Sequence, residues 1–211
     1  MSARAPGEEL LLATRSAGKL RELHPMFAAA GIRVIGLVEA GIVQTPDEDE
    51  VEQFDTFEAN ALAKARYFAE RSGRATIADD SGLAVDALGG RPGVRSKRWS
   101  GRMDLEGAAL AAANNAALLA ALEGIPDRRA RYVCVAAVVG EGAERTWRGE
   151  TTGRVIEEPR GEDGFGYDPY FLSDELGMTF GEASREAKEA VSHRGRAFRG
   201  LIRGLGSKGQ T

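Results

Sequence analysis

Apolar and polar positions along the chain follow two rhythms, one of period two and one of period near 3.6. Leu10–Thr14 is a short apolar run of strand length, and Arg33–Val38 is a second. Between them, Lys19 to about Ala30 has helical spacing. Pro25 fits a first turn but would disturb a helix interior, and Gly31 is placed to stop the helix. Phe57, Ala61, Ala65 and Phe68 recur at helical steps, predicting a helix to about Arg71. Asp55 would be its N-cap and Glu58 the partner in a capping box. Thr76–Ala78 predicts a brief strand ending at Asp79-Asp80, and Ser81–Gly101 a long structured loop. The alanine-rich stretch from Asp104 to Leu122 predicts a second long helix, because alanine loses no side-chain entropy there. Arg131–Val139 carries the clearest strand pattern, and Gly140–Gly142 predicts a hairpin into Glu144–Gly149, with Thr151–Ile156 continuing the sheet. A glycine-rich loop, Gly161–Asp168, leads to the apolar run Tyr170–Leu172. Ser184 would cap a short helix to Val191, Ser192-His193-Arg194-Gly195 would break it, and Ala197–Leu205 would resume it. About six strands and four or five helices follow. They predict an α/β fold with an antiparallel or mixed lobe rather than a pure doubly wound sheet.

Composition narrows the class. With 211 residues, the chain suits one domain or two closely joined lobes, and 43% hydrophobic with 28% charged residues is globular. Glycine departs from the norm: there are 27, about twice the usual share of about 7%. The single cysteine, Cys134, lies in an apolar run and predicts a buried, reduced thiol rather than a disulfide framework. No stretch is apolar enough to span a membrane and the first residues lack a signal-peptide core, so a soluble cytoplasmic protein is expected. The net charge of −4 argues against a protein devoted to nucleic acid.

Four constellations carry chemistry. Thr14-Arg15-Ser16-Ala17-Gly18-Lys19 joins a predicted strand to a predicted helix, where backbone N–H groups and a lysine can meet an anion. It is not a P-loop, since Ala13 and Leu20 occupy places that motif reserves for Gly and Ser or Thr. Asp79-Asp80-Ser81-Gly82 offers carboxylates that point oppositely on an extended chain. One facing a ligand would suit Mg²⁺, with the acidic run near Glu52 supplying a second acid. The acids at 47–50 read as a solvated face. Gly164-Phe165-Gly166-Tyr167-Asp168-Pro169 sets two aromatics and an acceptor among glycines, suited to closing over a flat ring. Lys188 and Ser192 are helical neighbours, followed by His193 and Arg194. His24 is the only other histidine, so a zinc site is poorly supported, and no nucleophile-elbow motif is present. Taken alone, these residues point to an anionic ligand, with Mg²⁺ and a ring as its possible companions.

The segments ATRSAGK, FEANALAKA, ADDSGLAVDALGGRPGVRSKRW, GFGYDPYF and SHRGRAF, in this order, resemble the signatures of the inosine triphosphate pyrophosphatase family, bacterial dITP/XTP type. The resemblance runs from Leu10 to about Leu205. It implies a single domain over 1–211, with two lobes of an elongated mixed-sheet α/β fold around a nucleotide cleft, and a flexible tail at 206–211. It also implies a homodimer that needs no nucleic acid or membrane. The implied activity is Mg²⁺-dependent hydrolysis of ITP, dITP and XTP to monophosphate and pyrophosphate. Residue by residue, Thr14, Arg15, Ser16, Ala17, Gly18 and Lys19 would embrace the triphosphate. Asp80 would hold metal and act as general base, with Glu52 as the second metal-site acid. Ser81 would touch the nucleotide. Phe165, Gly166, Tyr167 and Asp168 would line the base and sugar pocket, and Lys188, His193 and Arg194 would complete recognition. His193 and Arg194 would read the oxygen at the purine six-position, where adenine carries an amino group of the wrong polarity.

Two positions depart from the family pattern. Ser16 stands where asparagine is usual, and Ala59-Asn60 where Glu-Asn is usual, with Glu58 one place early and so about 100° around the helix. Glu58 is therefore not expected to be a ligand. A related Maf-type pyrophosphatase is disfavoured by GFGYDP and SHRG. A binding module that has lost catalysis is the reading those two departures would motivate. A nucleic-acid reading would lean on Arg91, Arg95, Lys97, Arg98 and Arg102, which serve equally as loop solubilisers or dimer contacts.

Overall fold

The computed structural model describes residues 9–140 and 142–206, leaving aside the side chain of Asp49. Six strands form one mixed sheet in the order β2-β1-β3-β4-β5-β6. They are β1 (Leu10–Leu12), β2 (Val34–Gly36), β3 (Thr76–Val85), β4 (Arg129–Gly140), β5 (Ala143–Val155) and β6 (Phe171–Ser173). The five helices among the described residues are α1 (Ala17–Ala29), α2 (Phe57–Ser72), α3 (Gly107–Ala121), α4 (Arg185–Val191) and α5 (His193–Gly206). β1 runs parallel to β2 and β3, whereas β5 and β6 are antiparallel. The mixed α/β class is as expected.

The contacts divide the chain into two compact units. One comprises residues up to 80, 135–148 and 197 onward; the other comprises 81–134 and 149–196. Strands β3, β4 and β5 each contribute residues to both. In the first unit Leu11, Leu12, Leu23, Phe27, Ala61, Ala65, Ile77, Phe198 and Leu201 are almost wholly buried. Phe27 of α1 meets Phe198 of α5 edge to face, with centroids 5.8 Å apart. In the second unit the core gathers Leu83, Val85, Leu118, Leu122, Tyr132, Val155, Phe171 and Phe180. Residues 130–138 of β4 are buried with one exception, so both faces are covered, whereas β5 alternates buried and exposed positions in its second half.

The helix signals resolve unevenly. Pro25 lies inside α1, which starts two residues earlier than the periodicity predicts. Both Pro25 and Arg21 are exposed, so the carbonyl that proline leaves unpaired is on the solvent side. Gly31 ends the helix in a left-handed conformation (φ 67°). Gly31 N–H donates to Ala28 O and Ile32 N–H to Phe27 O, the paired bonds of a Schellman turn. The cap of α2 is Thr56, whose hydroxyl accepts from Ala59 N at 3.2 Å; Asp55 lies one residue outside. Phe57, Ala61, Ala65 and Phe68 are its buried stripe, as their spacing predicts. Ser184 caps α4 through Ala187 N, also as predicted.

Three expectations are corrected. β3 is ten residues long, not three, and runs through Asp79, Asp80, Ser81 and Gly82. Tertiary partners satisfy each polar side chain there, so local turn preference is overridden. Second, Ser192-His193-Arg194-Gly195 does not simply break a helix. Ser192 takes extended backbone, and α5 begins at His193, with Gly195 N–H donating to Ser192 Oγ at 3.0 Å. Third, Gly206, where the tail was expected to start, is the last residue of α5; 207–211 lie outside the described residues. Cys134 is a buried free thiol as predicted, and no described helix is long and apolar enough to cross a membrane.

Candidate active site

The candidate residues fall into two sets, one in each unit. The first centres on β3 and the strand-to-helix turn after β1. Ser16 is the N-cap of α1: its hydroxyl accepts from Lys19 N at 3.3 Å, and its own N–H donates to Thr14 Oγ1 at 3.1 Å. Serine is a strong N-cap, so the departure at Ser16 leaves the helix start intact, with the first-turn N–H groups of Ala17, Gly18 and Lys19 at its positive end. Lys19 Nζ forms an ion pair with Asp79 Oδ2 at 2.8 Å and donates to Asp79 O at 3.4 Å. Asp80 takes a different partner, as alternation along a strand requires: Asn60 Nδ2 donates to its Oδ2 at 3.0 Å. Lys64, one turn beyond Asn60 on α2, hydrogen-bonds to Glu52.

These five charges are tightly coupled. Burial pushes the Asp80 carboxyl up to about 6, and Glu52 nearby adds to the rise, while Lys64, Lys19 and the Asn60 hydrogen bond only partly offset it. Glu52 is also raised by burial, but Lys64 and Lys19 outweigh that and hold it below the ordinary carboxylate range. Lys64 is lowered by burial and raised more by Glu52, Asp79 and Asp80, so it stays protonated. Asp80 is thus a buried anion short of positive charge, and a divalent cation suits it. Among the described residues no group of three His, Cys, Asp or Glu is placed to hold a metal by itself. Asp80 with Glu52 fits Mg²⁺, which takes one or two carboxylates and completes its shell with water and phosphate oxygens.

The second set lies around the glycine-rich loop, α4 and the start of α5. Asp168 is buried; its Oδ2 accepts from Phe165 N at 2.7 Å and pairs with Lys188 Nζ at 2.7 Å. Lys188 Nζ lies 5.2 Å from the Phe165 ring centre, and the Arg194 guanidinium lies 5.5 Å from it. Arg194 Nη2 donates to Ser81 Oγ at 2.8 Å. His193 stacks on Tyr132, centroids 4.5 Å apart and planes 6° from parallel. Gly164 is required twice over: it has φ 80°, and a Cβ there would sit 2.3 Å from Asp168 Oδ2. At Gly82 the demand is space, since a Cβ would fall 2.2 Å from Gly93 O.

Several of these side chains also carry structural contacts. Arg15 bonds to Glu48, through Nε at 3.0 Å and Nη2 at 2.7 Å, with Nη1 on Ile42 O, so it fastens the acidic segment. The acids at 47–50, expected as a solvated face, lie in a short 3-10 helix, Pro46–Glu50, with Asp47 and Glu50 exposed; Asp47 also accepts from Tyr67 at 2.6 Å. Tyr167 is buried and donates to Ser96 O at 2.7 Å, bracing the loop. Glu58 pairs with Arg148 at 2.8 Å. Sequence reasoning missed Lys64 and Tyr132 and left Asp79 and Asn60 without partners. The signal for two of them was the i,i+4 spacing of Asn60 and Lys64 on the buried side of α2.

Comparison with known proteins decides the ancestry of this arrangement. The Ham1 family profile matches residues 10–204, nearly the whole chain. The chain belongs to the Ham1 family. A Ham1-family relative from Frankia alni, named dITP/XTP pyrophosphatase, is 49% identical over 196 residues, covering 91% of this chain and 94% of the relative. The solved Ham1 protein from Coxiella burnetii superposes with a TM-score of 0.81 at 34% identity, covering 94% of this chain and 98% of that one. A crystal structure described as nucleoside-triphosphatase / dITP/XTP pyrophosphatase, from Mycobacterium abscessus, gives a TM-score of 0.70 at 42% identity over 92% and 98% of the two chains. The Ham1 fold and the resemblance seen in the motifs therefore coincide.

Proposed function

We propose that this protein hydrolyses non-canonical purine nucleoside triphosphates, dITP/ITP and XTP/dXTP, to the monophosphate and pyrophosphate, so clearing them from the nucleotide pool. The observation that carries this reading is the pair of residue sets: a carboxylate–lysine cluster suited to metal and phosphate, and a buried donor set suited to a purine oxygen. The names of the relatives support it. A purine nucleoside triphosphate carries both chemistries.

In the first set, Lys19 and the first turn of α1 offset the charge that develops on the departing pyrophosphate. Asp80 accepts the proton of the attacking water; without metal, burial pushes its carboxyl up to about 6. Asn60 fixes this carboxylate. Asp80 and Glu52 would hold Mg²⁺, which would supply charge neutralisation at the phosphate oxygens. In the second set, the Asp168–Lys188 pair and Phe165 form the base pocket, and His193 and Arg194 donate to the six-position oxygen. Adenine presents its amino group there, leaving buried donors unpaired, which rejects it. The homodimer and cytoplasmic setting expected from the motifs belong to the same reading; light scattering of the native protein tests the first.

The deciding experiment is product analysis with dITP, XTP, dATP and dGTP in the presence of Mg²⁺. Monophosphate and pyrophosphate are expected, with dITP and XTP turned over much faster than dATP and dGTP. Release of single phosphates, or equal turnover of dATP, would overturn the assignment.

A further inference from the structure

Tyr132 lies in β4, among the buried side chains of the second unit, and was not among the residues that the motifs single out. One face of its ring is parallel to the His193 imidazole, 4.5 Å away and 6° from coplanar orientation. The ring is also held by Phe171, tilted at 4.7 Å, and by Phe180, near-parallel at 5.9 Å. Its hydroxyl donates to Asp168 Oδ1 at 3.4 Å, while Lys188 and Phe165 N engage Oδ2 of the same carboxylate. Burial keeps the phenol protonated, pushing it well above its ordinary range, and the Asp168 charge adds to this; the hydroxyl is therefore a donor at any working pH.

We infer that Tyr132 is the positioning residue for base selectivity, a single core side chain that fixes the imidazole plane of His193 and the carboxylate of Asp168 together. The inference rests on the reading of these two residues as the base-recognition set. A histidine donor selects a ring oxygen only if its N–H points where the oxygen will be. An imidazole on a two-bond stem can rotate. The Tyr132 stack restricts that rotation, because turning the imidazole out of plane loses the parallel contact. The Phe171 and Phe180 contacts keep the tyrosine itself from following. Preorganised donors discriminate more sharply than donors that must be ordered on binding, and a polar contact built on a rigid strand is placed more accurately than one on a loop. The ring and hydroxyl contacts of Tyr132 are with His193, Asp168, Phe171 and Phe180, so its effect falls on binding of the base rather than on the hydrolytic step.

Two variants separate its parts. Tyr132→Phe keeps the stack and removes the hydroxyl; Tyr132→Leu removes both. Leu118→Ala, in the same core cluster, is the control for lost stability alone. Steady-state kinetics with dITP and dATP, with thermal melting of each variant, gives the reading. Tyr132→Leu is expected to raise KM for dITP with a small change in kcat, and to lower the dITP/dATP ratio of kcat/KM by roughly 3–10-fold, the range that an aromatic contact of this kind commands. Tyr132→Phe is expected to retain most of the ratio, losing about 2- to 3-fold. Leu118→Ala should lower the melting temperature and leave the ratio unchanged. An unchanged ratio in a folded Tyr132→Leu, or equal losses for dITP and dATP, would overturn the inference; should Tyr132→Leu fail to fold, an unchanged ratio in Tyr132→Phe would do so. A wild-type protein with no preference for dITP sinks the proposed function instead, so the two failures are distinct.

Discussion

Asp80 shows how a site is built at the expense of stability. Its carboxyl is pushed up to about 6, above the roughly 3.9 of an unfolded chain, because burial disfavours the anion more than Lys64, Lys19 and Asn60 restore it. Between those two values the native state holds more protons than the unfolded state, so stability falls as pH rises through the window and levels off above about pH 7. Asn at this position is neutral at every pH. Asp80→Asn is therefore expected to stabilise the metal-free protein at pH 8 by about 2 kcal/mol and to give no gain near pH 4, as urea denaturation in EDTA at both values would measure. The same variant should lose turnover by about 100-fold or more, which a coupled pyrophosphate assay reads. Equal activity would remove Asp80 from the proton-accepting role. At the same scale, the sequence singles out Asp80, His193 and Lys188, because their motifs are contiguous. It left Lys64 and Tyr132 unmarked, because their roles come from partners brought near only by the fold: Glu52 is 12 residues away, and Asp168 is 36 away.

Among the elements, α5 carries a lesson about glycine. From the sequence, Gly204 is one of several glycines near a basic end, with no assigned task. In the fold, Gly200 and Gly204 form the face of α5 that receives Trp147 of β5. A Cβ on Gly204 would fall 2.4 Å from the indole, and one on Gly200 would fall at 3.0 Å. Arg145 completes the contact, lying 5.1 Å from the indole ring centre and donating to Gly204 O at 3.2 Å. Alanine in a helix gains about 1 kcal/mol over glycine, while overpacking costs about 1–3 kcal/mol. Gly204→Ala should accordingly lose about 1 kcal/mol of stability, and Gly200→Ala should be close to neutral; chemical denaturation of the two variants compares them directly. A stabilised Gly204→Ala would mean that Trp147 moves aside freely. β3 teaches the converse. The sequence predicts a strand ending at Asp79-Asp80 and a loop from Ser81, yet the strand continues because Lys19, Asn60 and Arg194 satisfy the side chains while Gly82 lets Gly93 O approach.

For the whole molecule, the balance of charges in the first unit predicts how the protein responds to metal removal. Glu52, Asp79 and Asp80 already have Lys64, Lys19 and Asn60 as partners, so the fold is expected to hold without a cation. EDTA is expected to stop turnover and to leave a cooperative thermal transition in place, observed by circular dichroism. Unfolding in EDTA would instead make the metal structural. The sequence by itself determined the α/β class, the order of most elements, the buried stripe of α2, the free buried cysteine and the family, since each depends on local periodicity or contiguous motifs. The tertiary structure alone decided that β3 runs through the acidic pair, that Arg15 bonds to Glu48, that His193 opens a helix against Tyr132, and that the surplus glycines at 82, 164 and 204 answer close approaches. The physical reason is the same in each case: a side chain's protonation, orientation or steric room is set by neighbours distant in sequence, and only the folded chain supplies them.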